Sequence, residues 1–322
     1  MIRVAKNEGF GNVVLEEVPI PEIGPREVLV KNKVSLISRG SEILRRYMHE
    51  EAIDPAMMGY SVAGNVEQVG VEATERFQPG DRVSATAPHA EYVVQDIDAM
   101  DGSRVWSVPD DMTFEQTAFL PLCSGAVWWT NISDIRPGDT VVVLGQGLVG
   151  NLVMQAARRY LMERLITVDA LERRCQLSAE LGADMVINAV EEDPVEAVLR
   201  LTAGNGANIV IDCVGGRAGL TSFSQAQDMV CDGGKIHLIG LYHGEPLPLD
   251  AGKIQRKTLI GGYFTNESRA VMMTRTIEAV QAGHIRVEPL ISHRFPFTQA
   301  KEAYDLLYER LSEATGVLLT WD

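Results

Sequence analysis

A short glycine-rich segment constrains the fold of this chain more than any other feature. The apolar stretch Thr140-Val141-Val142-Val143-Leu144 runs directly into Gly145-Gln146-Gly147-Leu148-Val149-Gly150, and a stretch with helical spacing follows over 148–160. A strand, a G-x-G-x-x-G turn and a helix in this order suit a dinucleotide, because the turn brings backbone amides and the helix N-terminus to the pyrophosphate. The segment therefore predicts a dinucleotide-binding domain.

Each residue of the motif has its own expected task. Gly145 permits a tight turn, Gly147 lets the backbone approach the pyrophosphate, and Gly150 allows the helix to lie close to the strand. Leu148 and Val149 form the first turn of the helix, whose free amides and partial positive charge face the phosphates.

Asp169 ends the next predicted strand, 165–169, at the expected interval of about 20 residues past the glycines. Its carboxylate can accept hydrogen bonds from the adenosine ribose and would repel a 2′-phosphate, which favours NAD over NADP. Arg173 and Arg174 are the opposing signal, because a nearby arginine can accommodate that phosphate. The expected cofactor is NAD, with Arg174 as a further contact.

Two later strand ends are expected to line the ribose and nicotinamide pocket. Val214 and Gly215 follow the predicted strand 208–212, while Gly240 and Leu241 end the strand 235–240. Ligands bind at the carboxyl ends of strands in open α/β sheets. The alternative is that these glycines only turn the chain.

The remainder of the chain divides by texture. Residues 1–125 contain short apolar or alternating runs separated by Gly and Pro, which predict a β-rich, partly open barrel. From residue 137 onward, strands alternate with helical stretches, as in βαβ units. The predicted class is α/β, a doubly wound parallel sheet of Rossmann type with a second, β-rich domain.

Charge and cysteine content exclude several classes. The formal net charge of −15 would repel phosphate backbones and anionic membranes, so neither nucleic acid nor membrane is an expected partner. The chain has no apolar run long enough to span a bilayer and no apolar signal core at its start, so a cytoplasmic protein is expected. The four cysteines form no Cys-x-x-Cys pair, which argues against a disulfide scaffold and a structural zinc site.

The order of motifs resembles the medium-chain dehydrogenase/reductase superfamily over essentially the whole chain. The resemblance rests on the glycine-rich turn together with Pro25–Val30, Gly59–Gly64, Gly80–Val83, Ala90–Tyr92 and Gly262–Phe264. It implies a catalytic GroES-like domain of residues 1–124 completed by 264–322, with the NAD-binding domain, 125–263, inserted between. It also implies a homodimer formed through the last Rossmann strand, 257–262.

At the positions where zinc-type members carry metal ligands, this chain departs from the family pattern. Ser38 or Arg39 stands in place of the first cysteine, Tyr60 and Ser61 replace the His-Glu pair, and a lone Cys123 occupies the last position. One thiolate cannot hold a tetrahedral zinc, so no zinc is expected. The segment 37–42 and the C-terminal stretch resemble the hydroxyethyl-bacteriochlorophyllide dehydrogenase-like group. That group is mixed in substrate, and the resemblance implies interconversion of a secondary alcohol and its ketone.

Without a metal, side chains must move the hydroxyl proton and stabilise the developing alkoxide. Segments that border the active site in the family carry the candidate catalytic residues His89, Tyr60, Arg39, Glu42 and Ser38. His89 is the preferred acid/base, since histidine titrates in a useful range. Tyr60 could donate to the substrate oxygen, and Arg39 could bind a substrate carboxylate, a phosphate or the cofactor.

Structural roles compete with each of these assignments. His89 could be a surface histidine and Tyr60 a packed aromatic, while Glu42 could form an ion pair or begin a helix. Ser41 is a candidate N-cap for a helix that starts near Glu42.

Three functions stay open at this point. The first is a zinc-free, NAD-dependent dehydrogenase of a sugar, a cyclitol or a related hydroxy compound. The second is an NADPH-dependent quinone or enoyl reductase, and the third is a nucleotide-binding sensor without catalysis. Asp169 favours the first.

Overall fold

The computed structural model describes residues 1–98, 104–241, 244–262 and 267–321. Two compact units emerge from the contacts, unit 1 with Met1–Ser124, Glu267–Ala282 and Val287–Asp322, and unit 2 with Gly125–Asn266 and Gly283–Arg286. The expected domain boundary between residues 263 and 264 lies outside the described residues, as do Tyr263 and Phe264 of the family motif.

The described residues form fifteen strands. In chain order they are β1 (Ile2–Lys6), β2 (Val13–Glu17), β3 (Glu27–Ile37), β4 (Val62–Val69), β5 (Arg82–Ala85), β6 (Tyr92–Asp96), β7 (Val105–Ser107), β8 (Thr140–Leu144), β9 (Arg164–Asp169), β10 (Met185–Asn188), β11 (Ala207–Asp212), β12 (Val230–Leu238), β13 (Thr258–Gly261), β14 (Ile291–Pro296) and β15 (Gly316–Thr320).

Seven α-helices accompany them: α1 (Phe114–Ser133), α2 (Leu148–Ala157), α3 (Glu172–Glu180), α4 (Pro194–Leu201), α5 (Ala218–Met229), α6 (Arg269–Gln281) and α7 (Ala300–Glu309). A π-helix spans Arg39–Tyr47, and short 3₁₀ helices span Pro55–Met57, Glu288–Leu290 and Phe297–Gln299. No helix in the described part of the chain is long and apolar enough to cross a membrane.

Unit 2 is built on a six-stranded parallel sheet in the order β10-β9-β8-β11-β12-β13. All five residues of β8 are buried, as expected for a central strand covered on both faces. This is the strand order of the doubly wound Rossmann sheet, so the predicted fold class is confirmed. The order reverses between β8 and β11, and the carboxyl ends of these two strands therefore lie side by side.

Unit 1 contains the two-stranded β1-β2 sheet and a seven-stranded sheet in the order β14-β15-β3-β4-β5-β7, with β6 also paired to β3. Its pairings are antiparallel except for β14 with β15, which confirms the predicted β-rich domain. Helix α7 contacts the π-helix in a core that includes Ile43, Tyr47, Tyr304, Leu307 and Trp321. This contact places the C-terminal part of the chain against residues 39–47.

Helix α1 was not expected, because the sequence up to residue 125 was predicted to be β-rich. Its 20 residues are mostly apolar around the whole helix, and Pro121 lies inside it. Phe119, Leu120 and Ala126 are completely buried. A helix that is apolar on all sides has no polar face to produce the 3.6-residue pattern, and its proline resembles a helix stop.

Candidate active site

The glycine-rich turn in unit 2 has the geometry that a dinucleotide requires. Gly145 has φ of +81°, a value that side-chain-bearing residues rarely adopt. Gly147, the N-cap of α2, makes no side-chain cap hydrogen bond. A Cβ on Gly150 would overlap the carbonyl oxygen of Gly145, so only glycine lets α2 approach the turn this closely.

Asp169 is bonded to this turn. Its Oδ2 accepts a hydrogen bond from the Gln146 amide at 2.6 Å, and its Oδ1 accepts one from the Leu171 amide at 2.9 Å. The side chain is 8% exposed, so the carboxylate has only a narrow edge open for a ribose. The two hydrogen bonds of Asp169 hold the backbone of the turn in place, a role that the sequence motif does not reveal.

Arg174 lies near both Asp169 and the turn. Its Nη1 is 3.8 Å from Asp169 Oδ2 and would be 3.7 Å from a Cβ on Gly147. Burial lowers the pKa of Arg174, and the Asp169 charge opposes this shift. Leu148 is buried and Val149 half-buried in the first turn of α2. Together with the open amides, these groups fit a bound dinucleotide.

The two later strand ends approach each other closely. The amides of Ile239 and Gly240 both donate to the Asp212 carbonyl oxygen, at 2.9 and 2.8 Å. A Cβ on Gly240 would overlap the backbone of Val214. Leu241, by contrast, is 51% exposed. The sheet thus brings the predicted residues Val214, Gly215 and Gly240 to one place and leaves Leu241 open beside them.

In unit 1, a chain of three hydroxyl groups links the predicted residues Tyr60 and Ser38. Tyr60 Oη donates to Ser38 Oγ at 2.7 Å, and Ser38 Oγ lies 3.0 Å from Ser41 Oγ. Because Ser38 accepts from Tyr60, its own hydrogen is available to Ser41. Burial raises the pKa of Tyr60, while the hydrogen bonds with Ser38 and Ser41 lower it. We call Tyr60, Ser38 and Ser41 the hydroxyl chain.

Glu42 and His89 form a second, completely buried group. His89 Nε2 lies 2.8 Å from Glu42 Oε2, and His89 Nδ1 lies 2.8 Å from Ser35 Oγ. Tyr304 Oη donates to Glu42 Oε2 at 2.5 Å, and Trp321 Nε1 donates to Ser35 Oγ at 2.9 Å. We call these five residues the carboxylate network.

The protonation pattern of the carboxylate network follows from its donors. Burial raises the pKa of Glu42, but the charge and hydrogen bonds of His89 and the bonds from Tyr304 and Ser38 hold the pKa below its usual value. An ionised Glu42 can only accept, so His89 Nε2 carries the proton between them. Both ring nitrogens of His89 are therefore engaged and the ring is 0% exposed, which favours a supporting role over direct contact with substrate.

The local structure around Glu42 corrects one prediction. The helix begins at Arg39 rather than near Glu42, and Ser41 lies within it, so Ser41 does not cap it. Instead, Glu42 Oε1 accepts from the Ser38 amide at 2.8 Å, which supports the helix start from inside. Arg39 is the first residue of the helix and is half-buried.

Sequence reasoning missed Tyr304, Ser35, Trp321 and Arg46. Glu42 and Tyr304 are 262 residues apart, so no local pattern joins them. One sequence signal for this network is the spacing of Glu42 and Arg46, which puts both on the same side of a helix as the apolar Ile43 and Tyr47. All four residues are buried.

The positions that hold zinc in zinc-type relatives do not offer a zinc donor set here. Ser38 and Tyr60 are hydrogen bonded to each other, and Ser61 Oγ donates to the Ala118 carbonyl at 2.7 Å. Burial raises the pKa of Cys123, which disfavours the thiolate that a metal needs. Within the described ranges, no three His, Cys, Asp or Glu side chains converge as a metal site. These residues do not fit zinc.

Comparisons with known proteins agree with both units. The family described as "Alcohol dehydrogenase GroES-like domain" matches residues 24–117, and the family described as "Zinc-binding dehydrogenase" matches residues 149–279. An L-threonine 3-dehydrogenase of Symbiobacterium thermophilum is 29% identical, covering 95% of this chain and 94% of its own length. A sorbitol dehydrogenase of Arabidopsis thaliana is 26% identical, covering 92% of this chain and 88% of its own length.

Solved structures resemble the whole chain. An alcohol dehydrogenase from Thermus sp. ATN1 superposes with a TM-score of 0.84 at 25% identity, covering 99% of both chains. A benzyl alcohol dehydrogenase from Acinetobacter calcoaceticus gives a TM-score of 0.85 at 20% identity, covering 100% of this chain and 99% of its own, which speaks for the fold alone.

Proposed function

Because this chain belongs to the medium-chain dehydrogenase/reductase superfamily, we propose that it interconverts a secondary alcohol and its ketone with NAD and without zinc. The observation that carries this proposal is the hydroxyl chain. Where zinc-type members place metal ligands, Tyr60 Oη lies 2.7 Å from Ser38 Oγ. In this proposal, a hydrogen-bond donor and proton carrier takes over the task of the Lewis acid.

When bound, NAD supplies the hydride acceptor for the carbinol carbon. The glycine-rich turn and α2 hold the pyrophosphate with backbone amides, and Asp169 accepts from the adenosine ribose and disfavours a 2′-phosphate. Val214, Gly215, Gly240 and Leu241 line the position of the ribose and nicotinamide. Arg174 screens the Asp169 charge from the phosphates, at the 3.8 Å separation that the two side chains have.

Tyr60 takes the hydroxyl proton of the alcohol during oxidation and returns it during reduction. As Tyr60 takes this proton, it gives its own proton to Ser38 and Ser38 gives its hydroxyl proton to Ser41. The half-buried Ser41 releases a proton to solvent, and reduction runs these steps in reverse. Glu42 holds the Ser38 amide, and His89 holds Glu42, so both set the position of Ser38 without contacting substrate. Arg39, next to Ser38, provides a positive charge for the developing alkoxide.

The substrate is a hydroxy compound of the sugar or cyclitol type, in line with the polar side chains of the hydroxyl chain. Sorbitol dehydrogenases and L-threonine 3-dehydrogenases among the relatives support a secondary alcohol. We further propose a homodimer, through the β13 edge of the unit 2 sheet.

Purified protein of measured metal content tests the proposal. We expect less than stoichiometric zinc, NADH binding that is at least tenfold tighter than NADPH binding in a fluorescence titration, and NAD-dependent turnover of secondary alcohols that survives a chelator. Preference for NADPH with turnover of quinones or enones would refute it in favour of reductase activity. NADH binding without turnover on any alcohol or ketone would favour the sensor.

A further inference from the structure

Arg46 is a buried cation whose hydrogen-bonding groups are incompletely satisfied by the described residues. It lies on the inner side of the π-helix with 8% of its surface exposed. Its Nε and Nη1 have no hydrogen-bond partner among the residues that the structure describes. Burial of a charged donor without compensation is costly, and buried polar groups are normally satisfied by protein, water or ligand. These two nitrogens therefore call for an acceptor that the described residues do not supply.

The neighbouring carboxylate does not fill this need. Glu42 precedes Arg46 by four residues on the same buried side of the helix and is its only acidic residue. Its Oε1 accepts from the Ser38 amide, and its Oε2 accepts from His89 and Tyr304. With three donors already in place, Glu42 is committed to the carboxylate network and makes no hydrogen bond to Nε or Nη1 of Arg46.

The hydroxyl chain meets the start of this helix. Ser38 and Ser41 belong to the helix start, five to eight positions before Arg46, and they connect to Tyr60. The Arg46 charge also lowers the pKa of Tyr60, which indicates that the two groups share a neighbourhood. A guanidinium fork beside hydroxyl donors has the chemistry that recognises a carboxylate or a phosphate.

We propose that Arg46 binds an anionic group, a carboxylate or a phosphate ester, carried by the substrate itself. The inference rests on the proposed function, because it assigns a substrate class to the residues that handle the alcohol. The substrate is then a hydroxy compound of the sugar or cyclitol type that carries a carboxylate or a phosphate, and Arg46 distinguishes it from a neutral alcohol of the same shape.

Anion binding is measured first, without turnover. Inorganic phosphate and acetate are titrated calorimetrically into the NADH-saturated protein at constant ionic strength. We expect saturable binding of at least one of them to the wild type, and at least tenfold weaker binding to Arg46→Gln. The exposed neighbour on the same helix provides the matched control, Arg45→Gln, which removes the same charge and should bind as the wild type does.

Turnover then tests whether the anion belongs to the substrate. For a carboxylate- or phosphate-bearing secondary alcohol, Arg46→Gln should raise KM at least tenfold, whereas KM for a matched neutral alcohol should change less than twofold. Equal losses for both alcohols would overturn the proposal, as would a tenfold rise in the NADH Kd with unchanged KM for the anionic alcohol, since Arg46 would then serve the cofactor.

The two proposals fail separately. Phosphate or acetate binding that depends on Arg46, in a protein that turns over no alcohol, would sink the dehydrogenase assignment and leave an anion site. If Arg46→Gln does not fold, the melting temperature of the wild type tests whether the anion site exists. Phosphate or acetate at millimolar concentration should raise it above chloride at the same ionic strength, and no rise with either would refute the anion site.

Discussion

Tyr60 is the residue on which the proposed chemistry depends most directly. Replacing it in Tyr60→Phe keeps the ring and removes the hydroxyl that donates to Ser38. General acid–base groups contribute about 10²- to 10⁴-fold to rates, so we expect kcat for alcohol oxidation to fall by roughly that factor while NADH binding stays unchanged. Steady-state kinetics and an NADH titration measure the two quantities.

The exposed Tyr308→Phe is the control for loss of a phenol hydroxyl. Burial raises the pKa of Tyr60, so alcohol oxidation by the wild type should accelerate as pH rises through the alkaline range, and this dependence should vanish in Tyr60→Phe. Retention of more than half of the wild-type kcat in Tyr60→Phe would contradict its role as proton carrier.

Asp169 carries the prediction on cofactor choice. Asp169→Asn keeps one of the two oxygens that accept from backbone amides, and it removes the charge that repels a 2′-phosphate. We expect the preference for NADH over NADPH to shrink at least tenfold, with Arg174, 3.8 Å away, free to favour the phosphate. Fluorescence titration with both cofactors measures the ratio. Glu172→Gln is the matched control, and an unchanged ratio in Asp169→Asn would show that other residues set the specificity.

The residues of the cofactor turn could be predicted from the sequence, because their interactions are local. Gly145, Gly147 and Gly150 lie within six positions, and the glycine pattern itself encodes the positive φ and the close approach of helix to strand. The carboxylate network could not be predicted in this way. Its members come from four separate segments, and a buried glutamate looks like a solvated one until its distant partner, Tyr304, is placed.

Among the secondary-structure elements, the adjacent strands β11 and β12 each carry a buried titratable group. The two groups have opposite effects on the pH dependence of stability. Burial raises the pKa of Asp212 to about 6, above its ordinary 3.8, and lowers the pKa of His237 to about 4, below its ordinary 6.5. Ser133 Oγ donates to the Trp129 carbonyl, so His237 Nδ1 must donate to Ser133. His237 Nε2 has no partner among the described residues, which explains why the cation is disfavoured.

The signs follow from proton linkage. Between pH 4 and 6 the folded protein keeps a proton on Asp212 that the unfolded chain has lost, so this group lowers the free energy of unfolding as pH rises. Between pH 6.5 and 4 the unfolded chain protonates the histidine while the folded protein does not, so His237 lowers the free energy of unfolding as pH falls. Each pKa shift corresponds to about 3 kcal/mol in the free energy of unfolding. In the wild type, the two opposite slopes against pH therefore largely cancel.

Single substitutions should expose the two slopes. Asp212 Oδ1 accepts from both Val214 and Ser222, so Asp212→Asn can keep both bonds and should lose stability more steeply than wild type from pH 7 to 4.5. His237→Asn keeps a donor near Ser133 and should gain stability over the same change. Urea unfolding at pH 4.5, 5.5 and 7 measures both, and parallel slopes in the three proteins would contradict the assigned pKa shifts.

The secondary-structure elements differ in how well the spacing of apolar residues in the sequence predicts them. The strands predicted over 140–144, 165–169 and 208–212 and the helix predicted from residue 148 lie close to their observed bounds, because buried strands leave distinct apolar runs. The strand predicted over 235–240 begins earlier, at Val230, and helix α5 was not predicted. Helix α1 leaves no such pattern, because it is apolar on all sides. The helix expected to start near Glu42 begins at Arg39, and it buries Glu42 and Arg46 beside Ile43 and Tyr47, which an apolar pattern does not reveal.

At the scale of the whole molecule, the unit 2 sheet ends in an edge strand. Strand β13 pairs with β12 on one side, and the described residues supply no strand on the other. Three of its four residues are exposed, including Leu259 at 41%. An apolar edge strand of this kind invites pairing with another chain, which is the physical basis for the proposed homodimer.

We therefore expect the wild type to sediment as a dimer at micromolar concentration and Leu259→Lys to weaken the dimer at least tenfold, because a lysine places an unpaired charge at the edge. Leu161→Lys is the control, since it adds the same charge at an exposed leucine of the same unit outside β13. Sedimentation equilibrium at several concentrations gives the dissociation constants. A monomeric wild type would refute the dimer, whereas a dimer equally stable in both variants would move its interface away from β13. Because the glycine-rich turn and the edge strand belong to the same sheet, NADH binding to Leu259→Lys also tells whether the cofactor site needs the second subunit.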